Sequence, residues 1–175
     1  CTMARIIPLN ILRIIFMVFL QALVVSRLQV LDGFILPWVY IFAILMLPFE
    51  TPKWLVLVIA FCVGYIMDLF SGPMGMHMIA CTVLGWLQPM VQRILSPREG
   101  YEVNQEPTIQ KQGLRWYLTY AGILTFCHHF VLFFAETLRI TPFFYQMGHI
   151  LFSAIATVLL MLIGQYLISV QKGRG

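Results

Sequence analysis

Charged residues are scarce in this sequence: Lys, Arg, Asp and Glu make up 10% of its 175 residues, against about 25% in a typical soluble domain. Hydrophobic residues make up 61%. Such a chain cannot cover a soluble globule with polar side chains, so lipid must be the solvent for much of its surface. The apolar runs are long and do not alternate with polar residues, which favours helices over a transmembrane barrel.

Polar stretches are equally scarce. Residues 96–113 form the only one of any length, and it is too short to fold alone, so residues 1–175 are interpreted as a single transmembrane domain. The chain has no nucleotide-binding loop and no HExxH spacing. Its basic residues stand singly between apolar runs, which is typical of membrane loops and is weak support for nucleic-acid binding. No cofactor is expected.

Cysteine is also rare, and its placement argues against a disulfide or metal framework. Cys62, Cys81 and Cys127 all lie inside apolar runs, where cysteine behaves as a small buried residue. No metal site is therefore predicted.

The apolar runs predict an all-α polytopic protein, a bundle of six transmembrane helices. The predicted spans cover residues 11–30, 37–48, 54–68, 76–95, 114–136 and 143–168, and the second is short. Gln21 in the first span is expected to face another helix, and Arg13 to reach the headgroups. With both termini inside, eight basic residues lie on the cytoplasmic side and two on the other, which predicts a multi-pass membrane protein with both termini in the cytoplasm.

The run from Gly64 to His77 interrupts the apolar sequence with a carboxylate, a Ser-Gly-Pro-Met-Gly loop and a histidine. Residues four apart share a helix face, so small residues of spans three and four can meet in a tight antiparallel hairpin. The predicted pairs are Asp68 with His77, Gly64 with Cys81, and Ala60 with Gly85.

Asp68 has two interpretations. A carboxylate in a bilayer is costly and is a functional candidate by default. At a span end the cost is smaller, and Asp68 can instead accept N–H bonds from the turn at Ser71, Gly72 and Pro73. The structural role is favoured over substrate or proton handling.

A second polar cluster comprises His128, His129 and Glu136. His129 and Glu136 share a face but lie two turns apart, roughly 10 Å, too far to chelate one ion alone. Adjacent histidines point in different directions. We expect one histidine to pack inside the bundle and the other to face a neighbour or the membrane interface. An intramembrane enzyme built on these residues is disfavoured.

The run from Gly64 to His77 resembles the G-x-x-x-D-x-x-S-x-x-x-G-x-H signature of the rod shape-determining MreD family. Residues 47–52, 95–102 and 128–136 resemble further segments of that family, and the likeness covers roughly residues 5–170. The signature positions are Gly64, Asp68, Ser71, Gly75 and His77. With Gly72 and Pro73, the resemblance marks them as a structural motif and a possible partner surface.

The resemblance implies a non-catalytic scaffold of the cell-wall elongation machinery, located in the bacterial inner (cytoplasmic) membrane. Its direct partner would be MreC, a single-span protein, and RodA with its transpeptidase and cytoplasmic MreB would belong to the same complex. Membrane lipids would surround it. The family is also similar in fold to the substrate-binding components of energy-coupling-factor transporters. The alternative is therefore a small-molecule- or lipid-binding transporter component, with an outward pocket lined by Asp68, His77, Trp86 and His129.

Overall fold

The computed structural model describes residues 3–27, 33–72, 75–102, 105–136 and 143–172. Side chains are described for these residues except 3–7, 136 and 168–172. The predicted site residue Pro73 and the side chain of Glu136 therefore lie outside the described part.

The described chain is 78% helical and contains no strand, which confirms the all-α prediction. Its helices are α1 (Met3–Leu23), α2 (Ile41–Leu45), α3 (Lys53–Ser71), α4 (Met76–Ile94), α5 (Ile109–Gln112), α6 (Leu114–Glu136) and α7 (Phe143–Lys172). A 3-10 turn, Val25–Arg27, follows α1.

Four segments of the described chain are long and apolar enough to cross a membrane, which supports a membrane protein. They are Pro8–Arg27, Lys53–Ser71, Leu114–Ala135 and Phe143–Leu167. Each matches a predicted span, although α1 begins eight residues before the predicted start at Ile11. The predicted fourth span corresponds to α4. This helix is as long as α3 but less apolar, because it carries His77, Gln88 and Gln92.

The second predicted span differs most from expectation. Only Ile41–Leu45 are helical, so this run is too short to cross a membrane as a helix. We call residues 36–46 the central segment; residues 36–40 are not helical and lead into this short helix. Tyr40 to Leu47 are at most 3% exposed. The central segment thus lies in the middle of the bundle, with α1, α4, α6 and α7 around it.

Backbone that is not helical must find other hydrogen-bond partners when it is buried, since no water is available there. Side chains of the surrounding helices supply them. The hydroxyls of Ser153 and Thr157 accept the N–H groups of Leu36 (3.0 Å) and Trp38 (3.1 Å). Gln88 donates to the carbonyl of Ile44 (3.1 Å), and Tyr120 donates to the carbonyl of Leu45 (2.9 Å). These polar side chains of the surrounding helices therefore form hydrogen bonds with the backbone of the central segment.

The polar segment 96–113 is fastened to one end of the bundle, called here the polar end. Arg13 donates to Glu106 (2.9 Å) and to the carbonyl of Met46 (3.2 Å). Arg13, which was expected to reach the headgroups, therefore binds a carboxylate and a carbonyl of the protein itself. Tyr101 stacks on Phe49 at 3.7 Å, and burial raises the pKa of its phenol.

Candidate functional site

Asp68 lies at the loop end of the α3–α4 hairpin, and its carboxylate accepts three hydrogen bonds. Its carboxylate is 3% exposed and accepts the N–H groups of Gly75 (2.9 Å), His77 (2.8 Å) and Met78 (3.1 Å). These are among the free N–H groups at the start of α4, so Asp68 caps a helix to which it does not belong. The predicted contact between Asp68 and His77 is present through the His77 backbone. The predicted donation from Ser71 and Gly72 to this carboxylate is wrong, since the N–H of Gly72 donates instead to the backbone carbonyl of Asp68 (3.3 Å).

The hairpin is as tight as predicted, but Gly64 meets α4 nearly one turn before its predicted partner. A Cβ on Gly64 would lie 2.6 Å from the carbonyl oxygen of His77 and 2.6 Å from Cα of Met78. Gly64 therefore faces His77 and Met78, and the predicted pair with Cys81 is wrong. The physical reason is the cap: Asp68 must lie opposite Gly75 to reach three N–H groups of α4.

The second small-residue contact of the hairpin matches the prediction. A Cβ on Gly85 would lie 2.7 Å from Cβ of Ala60. In the loop, Gly72 and Gly75 have φ of 94° and 100°, a conformation that glycine adopts without strain. Gly72 directly follows α3, and Gly75 directly precedes α4. Ser71, the last residue of α3, is half-buried.

The hydroxyl of Tyr40 is the centre of a buried polar network. It lies 3.0 Å from Nδ1 of His77, 2.9 Å from Nε2 of His128 and 3.2 Å from Sγ of Cys81. A phenol can donate one hydrogen bond and accept others, so these three contacts use its capacity. The network joins the central segment to α4 and α6, and Asp68 fixes the same His77 through its backbone.

His128 and His129 both lie in the interior, on different neighbours. His128 contacts Tyr40, whereas His129 contacts Thr157 of α7 at 3.1 Å and the carbonyl of Thr125 at 2.9 Å. Both histidines are 0% exposed. Each thus has a packing role between helices, and the side chain of Glu136, the third residue of the predicted cluster, lies outside the described part.

The chemistry open to this network is limited by burial. Sγ of Cys81 and Nε2 of His128 are 3.8 Å apart, a thiol beside a possible base. Both side chains are fully buried, so a substrate has no access to them in this conformation. Among the described residues no group of three or more His, Cys, Asp or Glu side chains is placed to hold a metal ion. The arrangement positions Tyr40 and the central segment.

Gln21 is a further residue that positions the central segment, although the sequence shows it only as a polar side chain in an apolar run. Its amide donates to the carbonyl of Pro37 (3.1 Å) and accepts the N–H of Val39 (2.7 Å). It therefore pairs with the backbone of the central segment as a neighbouring strand would, and not with another helix. The sequence feature that points to such a role is the set of amide and hydroxyl side chains inside the apolar spans, because each of them needs a hydrogen-bond partner there.

Replacing Gln21 with leucine should destabilise the protein by about 2 kcal/mol or more, because two buried backbone groups each lose a partner. Thermal unfolding in detergent measures the effect. The matched control is Gln110→Leu, an exposed glutamine beside the polar end, which should change stability little. Equal unfolding temperatures for Gln21→Leu and Gln110→Leu would contradict the role given to Gln21.

Comparisons with protein-family models, with curated proteins and with solved structures found no match for this chain.

Proposed function

We propose that this chain is a non-catalytic membrane scaffold of the bacterial cell-wall elongation machinery, with MreC as its direct partner. RodA with its transpeptidase and the MreB filaments are proposed members of the same complex. The observation that carries the scaffold proposal is the central segment, which fills the bundle where a transporter component would keep its substrate pocket. The wall-elongation role depends on the MreD-like signature from Gly64 to His77.

Six crossings of the inner membrane, with both ends in the cytoplasm, belong to the same proposal. The central segment would be the second crossing and α4 the fourth. In support, the central segment and the loop after it contact α7 from Ser153 to Gln165, about 18 Å along that helix. The polar end, with Lys53 and Arg93, would then face the cytoplasm, and a six-helix bundle would agree with the likeness to energy-coupling-factor components.

The transporter alternative is favoured less. Asp68, His77 and His129 already bind protein groups in the interior. Trp86, the fourth residue of the expected pocket, is 59% exposed. These four side chains therefore do not line one cavity.

A partner that crosses the membrane once needs a groove between lipid-facing helices, and α6 and α7 form one. This α6–α7 groove has a volume of about 370 Å³ and an almost wholly apolar lining that includes Gly122, Phe126, Ala154 and Ile155. Small residues allow a second helix to approach closely in lipid. A Cβ on Gly122 would meet no atom within 4 Å. We assign the span of MreC to this groove.

Replacing Gly122 with leucine should weaken co-purification of the chain with MreC from the same organism by about tenfold, equivalent to ~1.4 kcal/mol. The leucine side chain would project into the α6–α7 groove from a position where an added Cβ meets no atom within 4 Å. The matched control is Ile123→Phe, which adds bulk at an exposed position of α6 beside the groove and should leave the complex intact.

Two outcomes separate the groove from the scaffold role. If Gly122→Leu binds MreC as well as the unchanged chain does, the groove assignment is wrong. If the unchanged chain and MreC do not co-elute while both are folded, the scaffold proposal itself fails.

A further inference from the structure

A second surface groove runs between the beginning of α3 and the final half of α4, at the polar end. It has a volume of about 530 Å³ and an almost wholly apolar lining. Its lining includes Lys53 and Trp54 of α3, and Gly85, Trp86 and Arg93 of α4. We call it the basic groove. It lies on α3 and α4, whereas the groove assigned to MreC lies on α6 and α7.

The dimensions of the basic groove match one half of a bilayer. Along α4 its lining extends from Gly85 to Ile94, which is nine steps along the helix or about 13.5 Å at 1.5 Å per step. The hydrocarbon core of a bilayer is about 30 Å thick, so each leaflet contributes roughly 15 Å. At Gly85 the two helices touch, since a Cβ there would lie 3.3 Å from the carbonyl oxygen of Val56. The apolar length therefore suits one acyl chain.

Charge is concentrated at the other end of the basic groove. Lys53 and Arg93 are both exposed. Neither forms an ion pair with a described residue, and no described carboxylate lines the groove. In contrast, Arg13 at the same end of the bundle is occupied by Glu106. Two unpaired cations beside an apolar groove are complementary to a phosphate headgroup that carries an acyl chain.

Two exposed tryptophans give the groove the amphipathic side chains of a membrane interface. Trp54 is 67% exposed next to Lys53, and Trp86 is 59% exposed next to Gly85. Indole rings favour the headgroup region, which suits Trp54. Trp86 lies about 10 Å deeper along α4, from its spacing to Arg93, at the depth of an acyl chain.

We propose that the basic groove binds one anionic phospholipid, with its phosphate at Lys53 and Arg93 and an acyl chain along Trp86. A zwitterionic lipid fits the apolar part equally well but carries a cation beside its phosphate. The selectivity therefore comes from Lys53 and Arg93. The proposal needs no partner chain, so it stands or falls separately from the binding of MreC.

The test uses the full chain reconstituted into phosphatidylcholine vesicles. A small, equal mole fraction of lipid is replaced by phosphatidylglycerol or phosphatidylcholine, each brominated on its acyl chains, and tryptophan quenching is measured. Brominated phosphatidylglycerol should quench more strongly than brominated phosphatidylcholine. The difference should disappear in Trp86→Phe, which lacks the reporting ring, and persist in Trp116→Phe, whose ring lies outside the groove.

The double variant K53Q/R93Q should bind brominated phosphatidylglycerol about tenfold more weakly, equivalent to ~1.4 kcal/mol. The matched control is R98Q/K111Q, which removes two exposed cations near the polar end but outside the basic groove. This control should keep the preference. Equal quenching by the two lipids in the unchanged chain overturns the proposal, as does an equal loss in both double variants. The proposal is also overturned if K53Q/R93Q, with unchanged thermal stability, keeps its preference for brominated phosphatidylglycerol over brominated phosphatidylcholine.

Discussion

Replacing Gly64 with alanine is expected to destabilise the isolated protein by about 3 kcal/mol, which lowers the unfolding temperature by roughly 6–12 °C for a chain of this size. The new Cβ would lie 2.6 Å from two backbone atoms of α4, at His77 and Met78. Backbone cannot rotate away as a side chain can. The helices must therefore separate along the hairpin, and Asp68 would lose its hold on the start of α4.

Gly122→Ala is the matched control for this change. It makes the same substitution within a helix, at a position where the added Cβ meets no atom within 4 Å. Because alanine is a better helix former by up to about 1 kcal/mol, this variant should be as stable as the unchanged chain or more stable. Thermal unfolding in detergent compares the two. If Gly64→Ala unfolds at the same temperature as Gly122→Ala, the close contact is not required.

Replacing Asp68 with alanine should have an effect of similar size. Three N–H groups at the start of α4 would lose their acceptor, and each such loss costs about 1–3 kcal/mol when no water replaces it. We expect a total of at least about 3 kcal/mol by the same measurement. The exposed acid Glu99, changed to alanine, should have almost no effect.

Asp68→Asn separates the cap from any role that needs a negative charge. Asparagine keeps one oxygen to accept N–H bonds but turns an NH₂ group toward the remaining donor, so its stability should lie between that of aspartate and alanine. Co-purification with MreC should follow stability. A variant that folds almost normally yet loses MreC would contradict a purely structural role and indicate that the charge itself is needed.

The sequence predicted the hairpin because its determinants are local. Spacing of four residues places Gly64 and Asp68 on one face, and the short loop forces α3 and α4 to be neighbours. The register could not be derived from this spacing. It depends on where Asp68 finds donors, and these lie beyond the loop, at Gly75, His77 and Met78.

The central segment could not be predicted from its own residues. An apolar run such as Ile41 to Leu47 has the same composition whether it is part of a long helix in lipid or a short helix in a protein interior. What distinguishes the two cases is a supply of hydrogen-bond partners from elsewhere. Gln21, Gln88 and Thr157 provide them, yet they are far apart in sequence, and only the three-dimensional arrangement connects them.

The same arrangement constrains the order in which the protein can be completed during synthesis. The N–H of Leu36 binds a hydroxyl 117 residues later, and that of Trp38 binds one 119 residues later. Both partners are on α7, which leaves the ribosome long after the central segment. Until α7 is inserted, the early segment cannot take its final position without unpaired backbone in the membrane. Native packing of the central segment therefore waits until α7 has been synthesised and inserted, and chains interrupted before α7 should be substrates for membrane proteases.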